Sequence, residues 1–153
     1  MGIASVIQNS AKADLLRAGT NFNTSGGTPA GHAFKIALYT NSTTLDTTTT
    51  AYGGPSDEVS GSGYSSGGNA LTNTGVGTTT VTSFTDFSDT SWTSASFTAR
   101  GCLIYNTASI TGLTANRAVC SITFGGDKTV SSGTFTIQFP TNDSSSAIIR
   151  LTS

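Results

Sequence analysis

The sequence predicts an all-β chain: a jelly-roll or Greek-key antiparallel β-sandwich of about eight strands, preceded by one short N-terminal α-helix. Three observations predict it. One third of the 153 residues are Ser or Thr and only 10% are charged, a composition that suits a pleated, half-buried surface better than a helix. After Ala33, short apolar or alternating runs recur about every eight to fifteen residues between clusters of Gly, Asn, Asp and Ser, the spacing of strands and turns. A helical period appears only before that point. The length fits one domain with one core.

The helix is read from Ile3 to Ala18, where Ile3, Ile7, Ala11, Leu15 and Ala18 recur at three or four residues, with Val6 and Leu16 beside them. Gly19 is its expected stop. TNFNTSGGTPAGH, Thr20 to His32, follows as a loop longer than most connections. Residues 1–32 are therefore expected to form an N-terminal helix and linker arm, and residues 33–153 the β-sandwich domain. Strands are expected near Phe34 to Thr40, Asn69 to Thr74, Thr79 to Phe87, Ser94 to Ala99, Cys102 to Asn106, Arg117 to Phe124, Thr134 to Phe139 and Ala147 to Leu151. No apolar segment is long enough for a parallel crossover, so two packed antiparallel sheets are favoured over a closed barrel. Between the first two strands a long excursion, residues 47–68, carries Tyr52, Val59 and Tyr64 as anchors to the body.

Alternation assigns faces. Phe135, Ile137 and Phe139 share one face of FTIQFP, and Thr134, Thr136 and Gln138 the other. Val119 and Ile122 fall on opposite faces unless a bulge intervenes. LIY and AII are apolar on both faces, which places those strands mid-sheet or beneath a neighbouring subunit.

The net charge is -1 and the cations are scattered singly from Lys12 to Arg150, so a nucleic-acid partner is not expected. No window approaches the roughly 20 apolar residues of a membrane span, and the N-terminus does not read as an export signal; no membrane association is expected. Ala95, Phe97 and Ala99 alternate inward until Gly101 interrupts, so Arg100-Gly101-Cys102 reads as a structural corner, with Arg100 held by a carboxylate such as Asp86 or Asp89. Cys102 as a nucleophile would need His32, the single histidine, brought from the loop. Cys102 and Cys120 permit one disulfide, but with no export signal two reduced, buried thiols are the expectation. Two cysteines and one histidine do not assemble a zinc site without carboxylates.

Asp57, Glu58, Asp86 and Asp89 are the candidates for acid/base work or Ca²⁺ binding. Asp57 and Glu58 point apart in an extended chain, and TDFSDTSW reads as a turn that caps its own amides. GSGYSSGGNAL leads into a strand, not a helix, so it lacks the dipole of a phosphate loop. No catalytic, cofactor or metal residue is assigned, no cofactor is expected, and the chain is read as not an enzyme.

FKIALYTNSTTLDTTTTAY (Phe34 to Tyr52), DEVSGSGYSSGGNAL (Asp57 to Leu71), FTDFSDTSWTSASFTARGCLIYN (Phe84 to Asn106) and RAVCSITFGGDKTVSSGTFTIQFP (Arg117 to Pro140) follow in an order that resembles small structural virion proteins of tailed bacteriophages. The resemblance covers nearly the whole chain after the loop and rests on ALYT, EVSG-x-GY, W-x-SA, ARG-x-LIYN and FGGDKT together. It implies a jelly-roll capsid cement or decoration protein, made in the host cytoplasm and located on the outer surface of the virion capsid. The implied partners are the major capsid protein and further copies of the chain, as a dimer or trimer. A tail, baseplate or fibre-associated module contacting the host surface is the alternative. Ile3, Val6, Ile7, Leu15 and Leu16 are the expected apolar contacts of the arm with capsid or sister subunit, the equal alternative being that the helix covers the open end of the sandwich.

Overall fold

The structure, a computed structural model, describes residues 2–53 and 56–153. Gly54 and Pro55 of the long excursion lie outside the described residues. In chain order the elements are β1 (Val6–Ile7), α1 (Asn9–Leu16), β2 (Phe34–Tyr39), β3 (Asn69–Leu71), β4 (Asn73–Thr78), β5 (Thr82–Phe87), β6 (Thr90–Asn106), β7 (Arg117–Ile137) and β8 (Ile149–Thr152). Among the described residues two antiparallel sheets result, one ordered β1-β7-β6-β2-β3 and the other β4-β5-β8. The all-β expectation with one short N-terminal helix is met, and the strands divide as five and three. Only Thr72 separates Leu71 from Asn73, so the chain passes there from one sheet to the other.

The helix is shorter than its apolar period suggests. Ile3 bridges Leu45, and Val6 and Ile7 pair with Ser121 and Cys120. These three residues are β-branched and fit a strand as well as a helix face. Gln8, extended at φ -64° and ψ 148°, divides strand from helix. At the other end Ala18 turns left-handed (φ 56°), its amide returns to Leu15 O at 3.2 Å, and the Gly19 amide returns to Asp14 O at 2.7 Å, which closes the helix in a Schellman motif.

Two pairs of expected strands are continuous. β6 runs through Gly101 and β7 runs through Gly125 and Gly126. The corner at Arg100 is a register shift between Ala99 and Gly101 instead of a break. A side chain at Gly101 would meet Ile122 O at 2.5 Å and Ile3 Cγ2 at 2.8 Å, so the glycine is required by close approach of the neighbouring strand and of Ile3. A second shift, Ile104 opposite Cys120 and Tyr105 opposite Ala118, leaves Val119 without a counterpart. This bulge turns both Val119 and Ile122 to the inner core.

The main core lies between the sheets: Phe34, Ile36, Leu38, Ile104, Phe87 and Trp92 are all buried within it. The loop after α1 contributes to it, since Phe22 stacks on Phe34 at 4.9 Å and meets Phe87 edge-on at 6.5 Å. Asn73 Nδ2 fastens the same loop by donating to Asn23 O at 2.7 Å and His32 O at 3.0 Å. The opposite face of the larger sheet carries a second cluster, Ala37, Tyr39, Leu45, Leu103, Tyr105 and Ala118. Leu103, Ile104 and Tyr105 are thus buried on both faces at mid-sheet. Ile149 of the AII run is buried too, but its strand lies at the edge of the smaller sheet, where Leu151 remains 55% exposed.

Candidate functional site

Among the described residues Glu58 is the most heavily hydrogen-bonded carboxylate. Its Oε1 accepts from Tyr64 Oη at 2.7 Å and the Gly67 amide at 2.7 Å, and its Oε2 from Tyr52 Oη at 2.9 Å and Ser66 Oγ at 2.9 Å. Tyr64 Oη also accepts the Leu38 amide at 2.9 Å, Tyr105 Oη donates to Gly67 O at 2.8 Å, and Tyr52 stacks on Tyr105 at 4.6 Å. Burial, then the bond to Glu58, raises the Tyr64 phenol well above its ordinary range. This network fixes the excursion to β2 and β6 through Tyr52 and Tyr64, as expected from sequence, with Val59 buried beside them. All four donors to Glu58 lie within the excursion itself, between Tyr52 and Gly67.

The other acidic candidates are likewise engaged at home. Asp86 is buried; its Oδ1 accepts the Phe87 amide at 2.8 Å and its Oδ2 the Ile148 amide at 3.1 Å, joining β5 to the segment entering β8. Burial raises its carboxyl above the ordinary value, with the two amides acting against the rise. Asp89 Oδ1 accepts the Phe139 amide at 2.8 Å. The TDFSD turn therefore caps distant amides as well as its own. Asp57 takes a left-handed backbone (φ 65°), and Ser56 Oγ donates to its Oδ2 at 2.7 Å. Arg100 pairs with Asp127, at 2.9 Å, and not with Asp86 or Asp89 as expected. Asp127 sits on the adjoining strand almost opposite, whereas Asp86 is held by amides on the other sheet.

Cys102 and Cys120 are both free and buried. Burial raises both thiols, Cys120 to about 12 and Cys102 further, so neither is a thiolate at neutral pH. His32 Nδ1 lies 3.3 Å from the Asn21 amide and 3.0 Å from Asn106 Nδ2, which places it among loop and strand amides and away from a Cys/His couple. Among the described residues no three His, Cys, Asp or Glu side chains cluster as a metal site, and no helix is long and apolar enough to cross a membrane.

Apolar surface is the remaining feature. Val76 of β4 and Leu151 of β8, each 55% exposed, flank the buried Thr85 and Ile149 on the core-facing side of the smaller sheet. With Leu15 and Phe22 they line a hollow of about 390 Å³. The inner face of this sheet thus extends beyond the larger one that covers it. A separate groove of about 520 Å³ runs along β7, lined by Ile122, Phe124, Phe135, Ile137 and Phe139 over Cys102.

The five expected contact residues do not form one face. Ile3 packs on the outer cluster, Ile7 and Leu15 pack on the inner core, Val6 and Ile7 flank a small hollow of about 230 Å³, and Leu16 alone is 91% exposed. Val76 and Leu151 were not expected as surface; the available signal was IIRL, whose Ile149 and Leu151 share a face, and GVG, which offers Val76 no apolar neighbour in sequence. The chain matches no protein-family model, no curated protein and no solved structure.

Proposed function

We propose that this protein is a non-enzymatic structural component of a tailed-bacteriophage particle: a jelly-roll cement or decoration protein that binds the shell of major capsid protein from outside and stabilises the mature head. The observation that carries the reading is the half-uncovered apolar pair Val76 and Leu151 on the rim of the Phe22–Ile149 hollow. Apolar side chains left uncovered around an apolar hollow suit a protein-binding face. The order of the ALYT, EVSG, ARG and FGGDKT segments supplies the particle, and the neutral, hydroxyl-rich surface favours association by shape over charge steering. At roughly 25 cal/mol per Å² each contact gains several kcal/mol before association costs, and repetition over a shell multiplies it.

The test is location and copy number. Genome-filled heads separated from tails are expected to carry the chain in hundreds of copies by gel densitometry, and emptied shells to rebind the purified protein as dimers or trimers. Recovery of a few copies in the tail fraction alone would instead assign it to a tail or baseplate module contacting the host surface.

A further inference from the structure

We propose that the outer edge of β7 is a strand-accepting site. It takes an extended segment of a partner protein, antiparallel to β7, with alternate apolar side chains set into the Phe124–Phe139 groove and an acidic side chain against Lys128. This goes beyond the reading above, because it names a second surface and the form of its occupant, and it holds whether the partner belongs to a head or a tail.

The edge is open. β1 pairs with β7 only at Cys120 and Ser121, and among the described residues no strand pairs with the outer edge from Gly125 to Ile137. Between the left-handed bends at Gly125 and Ser132 and beyond the second of them, such amides and carbonyls are a template for another chain. The same edge already accepts a strand immediately upstream, where Val6 and Ile7 lie antiparallel to β7 and Ser5 Oγ accepts the Thr123 amide at 3.0 Å. A partner strand would continue the line that the N-terminal segment begins before Ile3 departs to bridge Leu45.

Alongside the edge, the groove is lined from β7 by Ile122, Phe124 and Lys128 before the register shifts that flank Ala95 and by Phe135 and Ile137 after them, so it receives the side chains on one face of an added strand. Phe135 and Ile137 are only partly buried on the core-facing side, and the 520 Å³ groove shares Ile122 and Ile148 with the hollow that flanks β1. Main-chain pairing with alternate pockets is the grammar of strand addition. An acyl chain would fill the pockets but leave the edge amides unpaired.

Charge narrows the occupant. Lys128 lines the groove, is exposed, and makes no ion pair among the described residues; neighbouring Asp127 is taken by Arg100. It shares a face with the groove because its partner Ala99 faces the core. A lysine on an edge deters another copy of the same edge and fits a strand with a carboxylate among its inward side chains.

The probe is a blocked nonapeptide, Val-Thr-Val-Thr-Glu-Thr-Val-Thr-Val, whose glutamate shares a face with its valines. Binding is read by Trp92 fluorescence, since its ring lies 6.0 Å from Phe135, and by hydrogen exchange. Saturable binding is expected, with new amide protection confined to Gly125–Ile137. K128E should weaken it roughly fivefold or more, and replacing the peptide's glutamate by lysine should restore binding to K128E. The proposal is overturned if exchange in β7 is unchanged, if the charge swap has no effect, if decanoate binds in the groove and the peptide does not, or if β7 is already protected at high protein concentration by a second copy.

Discussion

Arg117 Nε lies 2.7 Å from Asp14 Oδ2, and both side chains are only 4% exposed. The contact joins α1 to the start of β7 as an ionic approach more than an in-line hydrogen bond, while the guanidinium donates through Nη2 to Gly19 O at 2.8 Å and through Nη1 to Thr114 O at 3.1 Å. Breaking a buried pair from one side leaves a charge in low dielectric. Asp14→Asn is expected to cost about 3–5 kcal/mol in urea unfolding. The double variant Asp14→Leu with Arg117→Met should recover most of that loss. Equal costs for the single and double variants would show that packing, not charge, sets the effect.

Glu58 gathers four donors from one stretch of chain, so the expected consequence of Glu58→Gln is local before it is global. The amide NH₂ of glutamine would face hydroxyls and an N–H that already donate. A loss of about 2 kcal/mol is expected, with faster exchange of the Gly67 amide and loss of the Tyr52–Tyr105 stack by near-ultraviolet circular dichroism. Unchanged Gly67 exchange would remove Glu58 as the anchor of the excursion.

Burial, then Arg117, lowers the His32 pKa below its ordinary 6.5, so the folded chain resists a proton that the unfolded chain accepts. Stability is therefore full above about 6.5, falls as pH drops below it, and levels once the folded value is passed. His32→Asn should flatten this limb of a melting-temperature profile. Asp86 acts in the opposite sense at lower pH: its carboxyl is raised above 3.8, so the stability it adds when protonated is lost as pH rises through the raised value.

Both thiols are expected to be inert in the native state. With Cys102 and Cys120 buried and shifted toward the thiol form, a disulfide reagent at neutral pH should label neither until denaturant is added, and then both. Rapid native labelling of Cys102, which floors the β7 groove, would reveal opening of that groove.

The sequence reading succeeded where a two-residue period meets one buried face. Phe135, Ile137 and Phe139 pack on the core while Thr134, Thr136 and Gln138 are exposed. It misjudged punctuation. Gly101, Gly125 and Gly126 read as breaks, yet they sit inside β6 and β7, because a glycine in a ladder relieves a close approach or eases a bend without ending pairing. Ile3, Val6 and Ile7 fit a helical period and a strand equally well, and the choice is made by tertiary partners, Leu45, Ser121 and Cys120, that no local window contains. The Glu58 donors were legible only as aromatic anchors, since Gly67 and Ser66 carry no sign of their acceptor. The Asp14–Arg117 pair spans most of the chain and left no trace in local pattern.

That pair bears on the N-terminal segment. A helix and linker docked apart from the sandwich would allow deletion of residues 1–18 without loss of the β fold. In the structure the same deletion removes Val6 and Ile7 from the β7 edge, takes away Gln8, whose Nε2 donates to Ser121 Oγ at 2.9 Å, and strands Arg117 without Asp14. The charge alone costs about 3–5 kcal/mol, and at about 2–4 °C per kcal/mol for a chain of this size the melting temperature should fall by about 10 °C or more. Thermal circular dichroism of the truncated chain measures it. A fall of that size with the β spectrum retained at low temperature would make the segment part of the folding unit, whereas an unshifted transition would return residues 1–18 to the role of a free arm and leave Arg117 to be satisfied by its carbonyls.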